Sequence, residues 1–284
     1  MIFPELFLIG LALIWLVFAV IQDIKTREVA DWLNFSLIMF ALGFRFFYSL
    51  FNSQWWFLIQ GIIGLGVFIV LGNLLYYCRI FAGGDAKLLI ALGTVLPLSN
   101  SFKGDLLIFG LFLFLFLLCG ALYGIFYSFV LISSDVGKFK KNFKGMFKKN
   151  KKYIYLSLVL AIVIAILGMW IKLFIALALI IFILPYLFIM AKTVEEIFMI
   201  KSLSVKDLRE GDWLYEDLKI GKRIIKKDFE GLSKKDIDFI RKNYRKNVVI
   251  KEGIPFVPVF FIAFVLFLLL RNSSWHFIVN FFGG

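Results

Sequence analysis

Two aspartates stand where apolar sequence meets polar sequence. Asp23 closes the first apolar run in AVIQDIKTREVADWLN, and Asp85 opens another in IFAGGDAKLLIALG. A carboxylate at such a boundary is partly desolvated, which raises its pKa, and a second carboxylate nearby raises one member of the pair further. Two close aspartates then share one proton over a wide pH range and titrate as a unit. That arrangement suits peptide hydrolysis: one carboxylate activates water while its protonated neighbour polarises the scissile carbonyl. Glu28 and Asp31 lie further out in the loop after Asp23, and Asp105 falls at the opposite boundary.

Two glycines precede Asp85. Gly83 and Gly84 let backbone approach closely or take positive φ, so that an extended peptide could lie beside the carboxylate. Equally, they could form a tight turn into the next helix with Asp85 as its N-terminal cap. Lys25 and Lys87 each follow an aspartate by two residues. Either could tune its neighbour electrostatically, but the plainer reading, and the one expected, is an interfacial cation with its stem along apolar surface.

The elements that must position these residues are apolar. Of 284 residues 62% are hydrophobic, 36 of them Phe, and several runs approach the ~20 residues needed to cross a bilayer. The expected fold is an all-α polytopic membrane protein of about eight transmembrane helices with a small α+β cytoplasmic module. The spans fall near 3–21, 34–51, 56–78, 86–98 and 105–132, two within 153–190 divided at GMWIK, and 256–270. The first run lacks a preceding basic region and reads as a permanent helix, not a cleaved signal. His276 is the only histidine, and the two cysteines, Cys78 and Cys119, form no C-x-x-C pair. His-based metal sites, Ser-His-Asp catalysis and a zinc or disulfide framework are thereby disfavoured, and neither a metal nor a cofactor is expected.

The net charge of +13 reads as membrane topology, with no nucleic-acid partner. If the loop after the first span is cytoplasmic, segments 22–33, 79–87, 133–152 and 192–254 face inward and hold 28 of the 32 basic residues. This bias places both termini outside and sets Asp23 and Asp85 at one depth on the cytoplasmic side, although 62 residues separate them. Arg45, inside the second span, is expected to reach the outer interface on its long stem. The chain divides into a catalytic membrane core (1–132), a polybasic cytoplasmic loop (133–152), two further spans (153–191), a soluble cytoplasmic module (192–254) and a last span with its tail (255–284). The eight lysines of the loop read either as a patch for anionic lipid or, as expected here, as a topology determinant. Within 192–254, Asp212–Asp228 predicts a strand pair turning at Gly221. Leu232–Asn243 predicts a helix capped by Ser233, and Asn247–Phe256 a strand leading into the last span.

The segments IQDIKTREVADWLN and FAGGDAKLLIALG resemble the two motifs of type IV prepilin peptidases and archaeal preflagellin peptidases, the GxGD membrane aspartic proteases. Asp23, Ile24, Lys25 and Arg27 match the first pattern; Gly84, Asp85, Lys87, Leu88 and Leu89 match the second. Ala82 replaces the first glycine of G-x-G-D, and Val29-Ala30-Asp31 replaces the usual I-P-N. EGIPFVPVFFIAF resembles the C-terminal region of the archaeal branch. The resemblance implies catalytic Asp23 and Asp85, with Gly83, Gly84 and Lys87 at the substrate approach. It implies cleavage of a short basic leader from a pilin-like or archaellin precursor at the cytoplasmic face, without methylation, in a plasma membrane whose lipid bilayer is the other partner. The alternative is a proton-coupled transporter or channel using the same aspartates, although such sites favour the midplane of repeated halves. A lipid-anchored scaffold leaves the two aspartates unexplained, and no Pro-Ala-Leu motif of the presenilin type is found.

Overall fold

A computed structural model describes residues 3–99, 101–221, 223–228 and 230–282, with side chains from Pro4 to Arg271 among them. His276 therefore lies outside the described side chains. The helices are α1 (Phe3–Thr26), α2 (Asp31–Asn52), α3 (Trp55–Tyr77), α4 (Gly83–Gly93), α5 (Phe102–Ser134), α6 (Val136–Lys149), α7 (Lys151–Leu167), α8 (Leu173–Val194), α9 (Lys234–Asn243) and α10 (Val257–Phe282). Five short strands intervene: β1 (Ile200–Leu203), β2 (Trp213–Leu214), β3 (Leu218–Ile220), β4 (Arg223–Ile225) and β5 (Val248–Lys251). The chain forms two compact units, Met1–Tyr123 with Gly253–Gly284, and Gly124–Glu252.

This is a multi-pass membrane protein, and the eight spans expected are not all matched by helices that pass on length and composition among the described residues. Among the described residues five helices are long and apolar enough to cross a membrane, six if the bent pair α6–α7 counts as one span. The fourth expected span fails on length. Its helix, α4, has 11 residues, which at 1.5 Å per residue reaches only ~16 Å of a ~30 Å hydrocarbon core. The described apolar part of the last helix, Val257–Arg271, is also short.

In the first unit a small-residue stripe on α3 seats α4. Gly61, Gly64, Phe68 and Gly72 recur at three- and four-residue intervals and are all buried, so they share a face. A Cβ on Gly64 would overlap the Gly93 carbonyl oxygen, and one on Gly72 would crowd Ile90. Lipid tails are as apolar as Leu, so close packing of this kind carries helix association in a membrane.

The end of α4 explains Arg45. After Gly93 the chain leaves the helix inside an apolar core, and its carbonyls need donors there. Arg45, fully buried, supplies them: Nε donates to Thr94 O at 2.9 Å, Nη1 to Phe57 O at 2.7 Å, and Nη2 to Val95 O at 3.2 Å and Pro97 O at 2.6 Å. Its guanidinium also lies 4.4 Å from the centre of the Phe57 ring. The long stem of Arg45 thus ends among the carbonyls that follow α4, within the protein. Gln60 Nε2 donates to Ser99 O and to Asp105 Oδ2, while Asp105 Oδ1 accepts from Ser99 N–H. Asp105 thus sits at the far end of α4 from Asp85.

The second unit contains the expected small sheet and helix. Gly221 turns at φ +58° between β3 and β4, which pair antiparallel with Ile220 opposite Arg223. Ser233 caps α9, its Oγ accepting from Asp236 N–H. β5 lies at the centre of an antiparallel three-stranded sheet, between β1 and β2. Leu214, Ile237, Ile240, Val248 and Ile250 fill the core beneath it. The break expected at GMWIK separates α7 from α8.

Candidate functional site

α1 ends where the chain must turn. Arg27 takes the left-handed conformation, φ 62°, and its N–H donates to Asp23 O at 2.9 Å. A left-handed residue after the last turn is a common helix stop, usually glycine, since a side chain there costs ~1–2 kcal/mol. Gln22 Oε1 then accepts from Ala30 N–H at 3.1 Å, fixing the loop back onto the helix that carries Asp23. α2 starts one residue later.

This turn leaves Asp23 buried, 5% exposed. Its Oδ2 accepts from Val257 N–H at 2.8 Å, and the Phe256 N–H also bonds the carboxylate. The donors come from the first turn of α10, where Pro255 and Pro258 bracket the helix start. The opening amides of a helix have no intrahelical acceptor, and a carboxylate there also meets the positive end of the helix dipole. Asp23 therefore caps the tenth helix from the end of the first.

Asp85 occupies the third position of α4, after Gly83 and Gly84. Its carboxylate takes the N–H of Ala82 and lies within electrostatic reach of Asp23. The cap position itself is held by Ala82, so Asp85 stands in the first turn of α4 and not at the N-cap that the capping reading expected. Ala82 itself is extended, φ −69°, ψ 162°. Any residue adopts that conformation, which is why alanine serves where the motif has glycine.

Neither left-handed backbone nor unusually close approach requires these two glycines: a Cβ at either would make ordinary van der Waals contact. Neither Gly83 nor Gly84 has positive φ. Gly84 faces the loop after α1, where a methyl group would meet Val29 backbone nitrogen at 3.5 Å and its oxygen at 3.7 Å. Gly83 lies near Tyr76, 3.9 Å from where its own Cβ would be. Lys87 reaches that loop too, its Nζ 2.6 Å from Asp31 Oδ1. Its structural partner is thus Asp31, while Lys25 is exposed. Before the glycines, Phe81 is buried and packs on Phe116, Phe256 and Phe260. One aromatic cluster therefore anchors both the segment leading to Asp85 and the segment that donates to Asp23.

Asp23, Asp85, Gly83, Gly84 and Lys87 thus gather at one end of the first unit. Sequence reading gave no role to Asp31, although its spacing from Lys87 across two motifs was visible. It also missed the amides of Phe256 and Val257, which have no side-chain signature; the two prolines marking a helix start were the available signal. Asn34, a turn into α2, is buried, and its carboxamide makes no hydrogen bond to the protein.

Residues 10–129 match the type IV leader peptidase family, a segment that includes both aspartates, both glycines and Lys87. Two curated relatives are described as preflagellin peptidases. The one from Methanocaldococcus jannaschii is 33% identical over 87 residues, 31% of this chain and 37% of the relative. The one from Methanococcus maripaludis is 33% identical over 82 residues, 29% of this chain and 35% of the relative. The chain spans about a third of the length of the curated relatives it matches. No solved structure matches it. The resemblance expected from the two motifs is borne out.

Proposed function

We propose that this chain, related through its amino-terminal segment to the type IV leader peptidases, is a membrane aspartic endopeptidase. Its substrate is a pilin-like or archaellin precursor with a short basic leader ahead of a hydrophobic helix, cut at the cytoplasmic membrane face. The observation that carries this reading is that Asp23 and Asp85, from different helices, come to the same end of the first unit, where Gly84 lies against Val29 of the loop that follows Asp23.

In the proposed reaction one carboxylate takes a proton from water as the oxygen attacks the scissile carbonyl. The protonated partner hydrogen-bonds the carbonyl oxygen. The tetrahedral intermediate then collapses: the C–N bond breaks, and the departing amine leaves with the proton the first carboxylate received. Because the pair holds one proton, the rate falls when pH rises enough to remove it and when pH falls enough to add a second. The amides of α10 fix Asp23, and Gly83 leaves room for an extended leader beside Asp85. A substrate already inserted in the bilayer meets this site oriented and concentrated, which lowers the entropic cost of its encounter.

Co-expression with candidate precursors, followed by gel or mass detection of the leader-cleaved product, tests the reading. Asp23→Asn and Asp85→Asn should each lower cleavage by about 10²–10⁴-fold while leaving membrane insertion unchanged. Normal processing by either variant would remove the pair from the mechanism.

A further inference from the structure

The eight lysines between Lys138 and Lys152 do not lie on a shapeless loop. Asp135 caps a helix there, its Oδ1 accepting from Lys138 N–H at 2.8 Å, and α6 runs from Val136 to Lys149. Val136, Phe139, Phe143, Met146 and Phe147 recur at three- and four-residue intervals on one face. Phe139, Phe143 and Phe147 form a row of tilted ring contacts, with centroids 5.4 and 6.3 Å apart, and Phe147 continues onto Tyr186 of α8 at 6.1 Å. Lys138, Lys140, Lys141, Lys144, Lys148 and Lys149 occupy the remaining surface, and all six are exposed. None of them forms an ion pair among the described residues.

The neighbouring helices fix what surface this face meets. α7 and α8 present outward Leu, Ile and Val, such as Leu156, Val159, Ile162, Leu179, Ile180 and Leu184, each more than 45% exposed. Such surface belongs in lipid. α6 joins α7 through a 71° bend, so when α7 crosses the bilayer α6 runs close to its plane, at the level where α7 begins. A helix in that position, with aromatic residues on one side and lysines on the other, is built for the headgroup boundary.

We infer that α6 is an interfacial anchor that binds anionic lipid headgroups through its six lysines. The occupant follows from charge: six cations without partners, on a helix carrying no acidic residue, require a negative surface. A topology determinant alone needs the lysines on one side of the membrane but not on one face of a helix. The inference is independent of the catalytic reading.

The test uses the full chain in nanodiscs of phosphatidylcholine, with and without phosphatidylglycerol, and reads the acetylation rate of each lysine by mass spectrometry. An anionic surface keeps nearby amines protonated, so the six lysines should react about three- to sevenfold more slowly when phosphatidylglycerol is present. Added salt should restore the rate. Lys234 and Lys235 of α9 are exposed internal controls and should not change. Substituting the six with Gln should lower the phosphatidylglycerol retained by the purified protein. Equal acetylation of the six in both discs would overturn the inference. So would protection by added RNA in phosphatidylcholine discs without protection by phosphatidylglycerol, which would assign the face to a soluble polyanion.

Discussion

The amide that holds Asp23 comes from 234 residues further along the chain, and a substitution can remove it without removing a side-chain contact to the carboxylate. Proline is well tolerated at the first position of a helix, so Val257→Pro deletes the donor and spares the helix start. A hydrogen bond to a charged group contributes ~1.5–3 kcal/mol. If Asp23 must be fixed to act, Val257→Pro should slow leader cleavage about 10- to 100-fold while the protein melts near the wild-type temperature. Unchanged turnover would show that Asp85 and the α1 turn position Asp23 alone. The Lys87–Asp31 pair asks a different question, because both side chains are about half exposed. Exposed pairs contribute ~0–1 kcal/mol, and a double-mutant cycle on Lys87→Ala and Asp31→Ala should return a coupling in that range. Coupling above ~2 kcal/mol would mean the pair is drier than its exposure indicates. At this scale the sequence told residue types and boundaries, which sufficed to single out Asp23, Asp85, Gly83, Gly84 and Lys87. It was silent on what each one touches: Lys87 stands two residues from Asp85 but bonds Asp31, because a helix points positions i and i+2 to different faces.

Helix α4 shows why elements were harder to read than residues. Its apolar sequence runs on through Val95 and Leu96, so hydropathy extends the span beyond the point where the helix stops. The cue was Gly93 followed four residues later by Pro97. Neither marks depth in a membrane, and the consequence for Arg45 was hidden with it. Arg45→Ala would leave the carbonyls of Thr94, Val95 and Pro97 without donors. At ~1–3 kcal/mol for each buried unsatisfied group, the loss should be at least ~3 kcal/mol, seen as a lower melting temperature in detergent and lower cleavage. Arg45→Lys keeps the charge but not the planar fork, and should fall between the two. Equal stability of wild type and Arg45→Ala would mean that the Thr94–Pro97 segment does not depend on the guanidinium. Local signals served better in the second unit. Ser233 and Gly221 were legible because caps and tight turns are set by neighbours in sequence. β1 was missed because its four residues, Ile-Lys-Ser-Leu, carry no turn signal ahead of them to part them from the helical segment that ends at Met199, and β2 because two residues make no periodicity.

At the scale of the molecule, charge supplied the reading of orientation and hydropathy the reading of span number. Among the described residues five or six helices are long and apolar enough to span, against the eight spans expected, and the basic residues are concentrated in four segments. The orientation drawn from them is a proposal that a reporter can test. A cytoplasm-dependent reporter inserted at Gly221, an exposed turn, should be active. The same reporter placed after Gly168, between α7 and α8, should be silent. Activity at both positions, or the reverse pattern, would overturn the proposed orientation and with it the proposed cleavage at the cytoplasmic face.

The cap that α10 receives from Asp23 has a consequence for biosynthesis. Asp23 is translated 234 residues ahead of Val257, whose amide it receives. A nascent chain that has threaded its first four helices into the bilayer still lacks the amides that immobilise Asp23. The order of translation thus makes synthesis of the start of α10 a condition for fixing Asp23, so a product that stopped ahead of residue 256 would lack the amides that hold this carboxylate.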